Sequence, residues 1–255
     1  MSKKVLLKIN NITKSYQGTP PIHALKGVNL DIYEGEVLSL LGVNGAGKTT
    51  LSSIISTLHP PTSGDILFQN KSIYDDVISF RKIIGMSPQK PNIDEMLTIK
   101  ENLLFAGRYF NVSENIIKQR CFDLMKKFEL LKYADAKGSI LSGGYKQRFI
   151  LARTLMHNPK LVILDEPTVA LDPHIRRNLW DTIKQLKHEG ITVLLTTHYL
   201  EEAEALSDRV CILDKGVIKL TDTPENLKAS YSKSNLEDVF IKLLQEEKEE
   251  TPHDV

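Results

Sequence analysis

The chain has 255 residues, 41% of them hydrophobic and 25% charged, with a formal net charge of +1; it is long enough to bury a core and offers no bulk attraction to nucleic acid or to an acidic membrane surface. No apolar run approaches the ~20 residues that cross a bilayer, since VLSLL at residues 37–41 and LVIL at 161–164 are of strand length. Cys121 and Cys211 have no ligand-like spacing, and Cys211 within RVCIL reads as a buried free thiol of a reduced, cytosolic protein.

The opening MSKKVLLKIN has two lysines but no apolar signal core or small-residue cleavage site, so it reads as mature sequence. KVLLKIN, GVNLDIY and GDILFQN resemble antiparallel strands separated by turn residues. Beyond them, the apolar runs VLSLLG, KIIGMSP, LVILDE and ITVLLTT alternate with helical patterns. Continuous Val, Ile and Leu between amphipathic helices predicts an α/β fold with a mostly parallel sheet covered on both faces. Residues 93–135 are almost purely helical in pattern and read as an insertion between core strands. Within them Thr98 and Glu101 form a capping box, and a second helix follows Ser113. A turn at residues 214–216 joins RVCIL to VIKL as a hairpin. Ser234 and Glu237 are placed to cap a last helix, with Leu236, Val239, Phe240, Leu243 and Leu244 on one face. The charged tail EEKEETPHDV is expected to fray.

GVNGAGKT, residues 42–49, fits Gly-x-x-x-x-Gly-Lys-Thr between an apolar strand and a helical run, the context in which such a loop cradles phosphates. Glycines allow the sharp turn that aims consecutive amides at phosphate oxygens, and the helix N-terminus adds positive partial charge. The cradle comprises Gly42, Asn44, Gly45, Ala46, Gly47, Lys48, Thr49 and Thr50, with Lys48 reaching the β- and γ-phosphates and the Thr49 hydroxyl on Mg²⁺. Asp165 and Glu166 emerge where LVILDE leaves the core. Adjacent carboxylates there are costly unless a cation or a reacting group awaits them. Asp165 is suited to hold Mg²⁺ and Glu166 to polarise an attacking water. His198 and Gln89 lie just past two core strands, at the edge where ligands of doubly wound sheets bind. The other six histidines read as surface or structural residues. A second anion-holding helix start appears far downstream, in LSGGYKQR at residues 141–148.

In order and spacing, the phosphate loop, the Gln89 loop, LSGGYKQR, LVILDE, the turn of Ala170, Leu171 and Asp172, and His198 resemble the ATPases of ABC transporters, from Tyr16 to about Leu220. The resemblance implies a P-loop NTPase (RecA-like) core with an N-terminal antiparallel β subdomain and a helical insertion subdomain at about residues 93–155. It implies one ATPase domain over residues 1–222, with 223–255 as a short C-terminal helical extension. It also explains the second cradle: two subunits pack head to tail, and Ser142, Gly143 and Gly144 of one face the ATP held by Lys48 of the other. Tyr16 would stack on adenine, a buried core tyrosine being the alternative. Gln89 would touch Mg²⁺ or the attacking water, Asp172 would link the two sites, and His198 would contact the γ-phosphate. Two positions depart from the pattern: Val43 stands where many members have Pro, and Tyr145 replaces the common Gln.

The stretches LTTHYLEEAEALSDRV and LEDVFIKLL are most similar to the ATPases of drug, lipid and polysaccharide exporters. Those work with a separate six-helix transmembrane permease, which places the chain peripherally on the cytoplasmic face of the membrane, with no nucleic-acid partner. A soluble assembly ATPase, an importer ATPase and a nucleotide-gated module of low turnover are the alternatives.

Overall fold

In the computed structural model, which describes residues 3–90 and 92–250, the chain opens with two long antiparallel strands, β1 (Val5–Tyr16) and β2 (Ile22–Tyr33). Then come β3 (Val37–Leu41), α1 (Lys48–Ile55), β4 (Ser63–Phe68), β5 (Lys71–Ser72), α2 (Val77–Arg81) and β6 (Ile84–Ser87). The helical stretch holds α3 (Ile99–Tyr109), α4 (Glu114–Lys127) and α5 (Gly143–Thr154). The remainder is β7 (Leu161–Asp165), α6 (Pro173–His188), β8 (Thr192–Thr197), α7 (Leu200–Leu206), β9 (Arg209–Asp214), β10 (Val217–Asp222), α8 (Pro224–Ser230) and α9 (Leu236–Glu250).

Strands without a polar face become the centre of the molecule. Every residue of β3, β7 and β8 is buried, because layers cover both sides of their sheet. The six-stranded order is β10-β9-β3-β8-β7-β6, parallel throughout except for the β9–β10 pair. Alternate residues part to the two faces, as the pleat requires. Val37, Val162, Leu164, Val193 and Leu195 join one apolar cluster with residues of α3, α4, α5 and α6. Leu38, Leu40, Ile163 and Leu194 join another with α1 and the antiparallel strands. Each fully buried Leu, Ile or Val stabilises this layering by about 1.5–3 kcal/mol. The antiparallel sheet, in order β2-β1-β4-β5, forms the N-terminal layer. The fold is thus the predicted α/β core with an antiparallel β layer and a helical insertion.

The local capping and turn signals agree with the structure, with one exception. Thr98 Oγ1 accepts from Glu101 N at 3.1 Å while Thr98 N donates to Glu101 Oε2 at 2.7 Å, closing the capping box of α3. Ser113 is the N-cap of α4. Lys215 and Gly216, both left-handed (φ 46° and 82°), make the β9–β10 turn of the type that matches strand twist. The cap of α9, however, is Asn235 rather than Ser234: its Oδ1 accepts from Asp238 N at 2.8 Å. Capping there satisfies the buried face, since a helix starting at Leu236 seats Leu236, Val239 and Leu243 against Val210, Ile212 and Leu227. The side chain of Leu244 and residues 251–255 of the expected frayed tail lie outside the described residues.

The parallel strands β3, β6, β7 and β8 all end at the same sheet edge. Residues 42–49, Gln89, Glu166 and His198 therefore follow their strands on one side of the molecule, the side where parallel sheets bind ligands.

Candidate functional site

The loop between β3 and α1 is shaped by packing as much as by ligand chemistry. A Cβ on Gly42 would lie 2.3 Å from the carbonyl oxygen of Leu213, and one on Gly47 2.8 Å from that of Ala24. Gly45 and Gly47 are left-handed (φ 83° and 109°), a conformation that costs any side chain strain. The β9–β10 turn braces the loop, with Gly216 N donating to Ala46 O at 3.0 Å. Lys48 heads α1 and curls back, donating to Gly42 O at 2.8 Å and Val43 O at 3.3 Å. Burial lowers its pKa, opposed by the nearby Glu166 and Asp165 carboxylates. The ammonium sits at the floor of a cleft of about 340 Å³ lined by Asn44, Gly45, Gly47, Lys48, Thr49, Thr50 and Glu166.

Glu166 is the convergence point. Its Oε2 accepts from Gln89 Nε2 at 2.9 Å. Its Oε1 stands 3.7 Å from Lys48 Nζ and 3.4 Å from His198 Nδ1. Sequence positions 48, 89, 166 and 198 are thus joined through one carboxylate. The Glu166 backbone is left-handed (φ 48°), an uncommon state for a non-glycine residue that persists only where its surroundings impose it. Here its N–H donates to Thr196 O at 3.1 Å and to Thr196 Oγ1 at 3.0 Å.

Asp165, 5% exposed at the end of β7, accepts from Thr196 Oγ1 at 2.5 Å. Burial pushes its pKa up, opposed by the Thr196 hydrogen bond, with Glu166 raising it further. The hard oxygens of Thr49, Gln89 and Asp165 suit Mg²⁺, which would balance a pair of neighbouring carboxylates, Asp165 and Glu166, that share the charge of Lys48. Among the described residues no group of three or more His, Cys, Asp or Glu side chains could hold a metal. An ion here would complete its shell with phosphate oxygens and water, the usual arrangement for Mg²⁺. A testable consequence concerns stability. An acid whose folded pKa is raised loses stability as pH rises through its ordinary value and then its folded one. Asp165→Asn is therefore expected to raise the ligand-free Tm at pH 7. The gain should vanish below the ordinary carboxylate range; an unchanged or lower Tm at pH 7, read by scanning calorimetry, contradicts the assigned penalty.

Other predicted residues stand apart from the cleft. Ser142 is the exposed N-cap of α5, and no hydrogen bond from its own helix engages its side chain. Neither Ser142, Gly143 nor Gly144 lines the cleft; Gly144 packs instead on Ile175 of α6, where a Cβ would sit 3.0 Å from Cγ2. Asp172, exposed, is the N-cap of α6, again without a side-chain capping bond. Tyr145 turns away from Ser142 onto the Tyr133 ring (centroids 4.9 Å apart) with Lys132 and Arg148 over its own. Val43 points to solvent, so the departure from Pro disturbs no packing. Tyr16 is 39% exposed at the end of β1, with Lys14 Nζ 5.3 Å from its ring centre. That excludes the buried core tyrosine.

Part of the lining is not foreseen by the sequence patterns. Ile22, His23, Ala24 and Lys26 reach the cleft from β2 and Lys215 from the β9–β10 turn. They carry no phosphate-loop pattern, and by sequence His23 reads as a surface or structural residue. Its neighbour Ser15, paired with it across the β1–β2 ladder, holds its Nδ1 at 2.8 Å. The His198 loop is also braced from α6: the Arg176 guanidinium lies 4.5 Å from the Tyr199 ring, and Trp180 Nε1 donates to the fully buried Glu202 at 3.0 Å.

Comparison with known proteins finds relatives along most of the chain. The sequence profile described as "ABC transporter" matches residues 25–169, and a shorter match to an "AAA domain, putative AbiEii toxin, Type IV TA system" spans 141–202. The chain is 42% identical over 212 residues to the Nod factor export ATP-binding protein I of Rhizobium meliloti (strain 1021), covering 83% of this chain and 62% of that protein. It is 38% identical over 222 residues to the linearmycin resistance ATP-binding protein LnrL of Bacillus subtilis (strain 168), covering 87% and 70%. Among solved structures, the dimeric ATP-binding cassette MJ0796, in a post-hydrolysis state bound to ADP and Pi, superposes with a TM-score of 0.78 at 33% identity, over 85% of this chain and 98% of that one.

Proposed function

This chain belongs to the ABC transporter family, and from that premise we propose that it binds and hydrolyses ATP as a head-to-tail pair and drives export through a separate membrane-spanning permease. The observation that carries the reading is the convergence of Lys48, Gln89 and His198 on Glu166 at the mouth of the phosphate loop. Structural residues rarely place two cationic or polar donors and an imidazole around one carboxylate beside a nest of amides.

The β- and γ-phosphates lie against the loop amides and the start of α1, with Lys48 exchanging its carbonyl partners for phosphate oxygens. Tyr16 offers its exposed face to adenine. Thr49, Gln89 and Asp165 would hold Mg²⁺, which would supply charge neutralisation on the phosphates. Glu166 takes the proton of the attacking water, Gln89 holds that carboxylate in place, and His198 donates toward the γ-phosphate. One copy lacks the far wall of the pocket. The uncapped N-terminus of α5 and Asp172 of a second copy provide it, so the closed pair forms while the γ-phosphate is present and parts after hydrolysis.

Export is supported by the relatives, which are named for Nod factor export and linearmycin resistance. The chain spans 62% of the length of the first of these. Among the described residues no helix is long and apolar enough to cross a membrane, and in this reading the chain attaches peripherally through its permease. The test is purification of the tagged chain from detergent-solubilised membranes of its source. Recovery with a six-helix membrane protein that stimulates its ATP hydrolysis is expected. Recovery with soluble partners alone, hydrolysis intact, replaces the transporter reading with that of an assembly ATPase.

A further inference from the structure

We propose that Thr196 is the positioning residue for both carboxylates of the site: one hydroxyl orients Asp165 toward its cation and locks the backbone that aims Glu166. The inference rests on the ATPase reading above. Thr196 lies beside Asp165 in the parallel β7–β8 ladder and is completely buried. Its hydroxyl is engaged in both directions, donating to Asp165 Oδ1 at 2.5 Å and accepting from Glu166 N at 3.0 Å. A hydroxyl has one proton and two lone pairs, so Ser or Thr performs both acts at once. Val, of the same shape, performs neither.

The consequences differ for the two carboxylates. Asp165 can turn either oxygen outward; occupying Oδ1 with the Thr196 proton leaves the other for a metal. Partners behind a metal ligand fix its orientation in this way, and losing one weakens metal binding or activity by roughly 10- to 100-fold. Glu166 holds a left-handed backbone (φ 48°) with its N–H shared between the Thr196 carbonyl and hydroxyl. Removing the hydroxyl loosens the residue that must meet the attacking water. The next residue has a different task, because successive strand residues face opposite sides: Thr197 Oγ1 accepts from Tyr199 N at 3.0 Å and shapes the His198 loop. The two threonines thus divide the carboxylates from the histidine.

The experiment compares the full wild-type chain with Thr196→Val and Thr196→Ser. Calorimetric ADP binding is titrated against Mg²⁺, and ATP hydrolysis is followed over the same Mg²⁺ range. In Thr196→Val the Mg²⁺ needed for half-maximal binding and turnover should rise by roughly 10- to 100-fold, and kcat should fall, with metal-free ADP binding unchanged. Thr196→Ser should stay within about twofold of wild type, since it keeps the hydroxyl. A Thr196→Val chain with the wild-type Mg²⁺ requirement and kcat overturns the proposal alone. If Val fails to fold, Thr196→Ala against Thr196→Ser isolates the same hydroxyl, and equal Mg²⁺ curves for the two overturn it. A wild-type chain that binds no nucleotide at any Mg²⁺ concentration overturns this inference together with the function it rests on, and the wild-type curve alone reports that failure.

Discussion

Glu166→Gln is expected to lower steady-state ATP hydrolysis about a thousand-fold while leaving ATP affinity within a small factor of wild type, the loss typical of removing a general base. The substitution is isosteric, so the introduced amide oxygen can still accept from Gln89 Nε2, which in the wild-type chain lies 2.9 Å from Glu166 Oε2. The left-handed backbone and its bonds to Thr196 do not involve the carboxylate. Lys48 keeps Asp165 as an electrostatic partner and its carbonyl bonds to Gly42 and Val43. What disappears is the atom that can take a proton from water. If hydrolysis parts the pair as proposed, the variant should also accumulate as an ATP-held dimer in size-exclusion chromatography with ATP and Mg²⁺. A turnover rate within about threefold of wild type removes Glu166 from the role of base.

The second large effect lies outside the cleft, at the start of α5. Ser142→Asp should leave the monomer as stable as wild type or slightly more so. Asp is at least as good an N-cap as Ser, and negative charge near a helix start adds roughly 0.3–1 kcal/mol; Ser142 is exposed, with no capping bond to lose. Yet ATP-dependent dimerisation should vanish and hydrolysis fall by about 100-fold or more, since like charges forced together across an interface cost several kcal/mol. Wild-type hydrolysis in Ser142→Asp rules out the head-to-tail pair. Mixing Ser142→Asp with Lys48→Ala extends the test. The mixed dimer has one site with both an intact Lys48 and an intact Ser142, so part of the activity should return. A mixture no more active than either variant contradicts a composite site.

The two experiments probe different kinds of information. Ser142, Gly144 and Lys48 lie in patterns whose chemistry is local: a turn that needs glycine, a helix start, a cation beside it. The residue types such segments need are set within a few positions, so the sequence alone makes them legible, although packing against Ala24 and Leu213 also shapes the phosphate loop. The core strands are legible for a related reason. Continuous apolar runs in β3, β7 and β8 have one stable place, a sheet covered on both faces, where every one of their residues is indeed buried. The capping box of α3 is likewise a contact within four residues.

What the sequence does not disclose depends on distance along the chain. His23, Lys26 and Lys215 line the cleft because the β9–β10 turn and β2 are held to the phosphate loop by backbone bonds, Lys26 N to Gly216 O at 2.9 Å and Gly216 N to Ala46 O at 3.0 Å. The cap of α9 lies one residue beyond the predicted one because burying Leu236, Val239 and Leu243 against β9 and α8 outweighs the choice between two adjacent polar caps. Thr196 reads in sequence as one more β-branched strand residue; only the pairing of β7 with β8 sets its hydroxyl between Asp165 and Glu166. By itself the sequence determined the family, the order of the layers and the residue types of the site, because propensity, periodicity and turn chemistry act over a few residues. The tertiary structure alone decided which carboxylate oxygen faces which donor, and which distant residues close the cleft, because those relations arise from hydrogen bonds and packing between segments that strand register brings together.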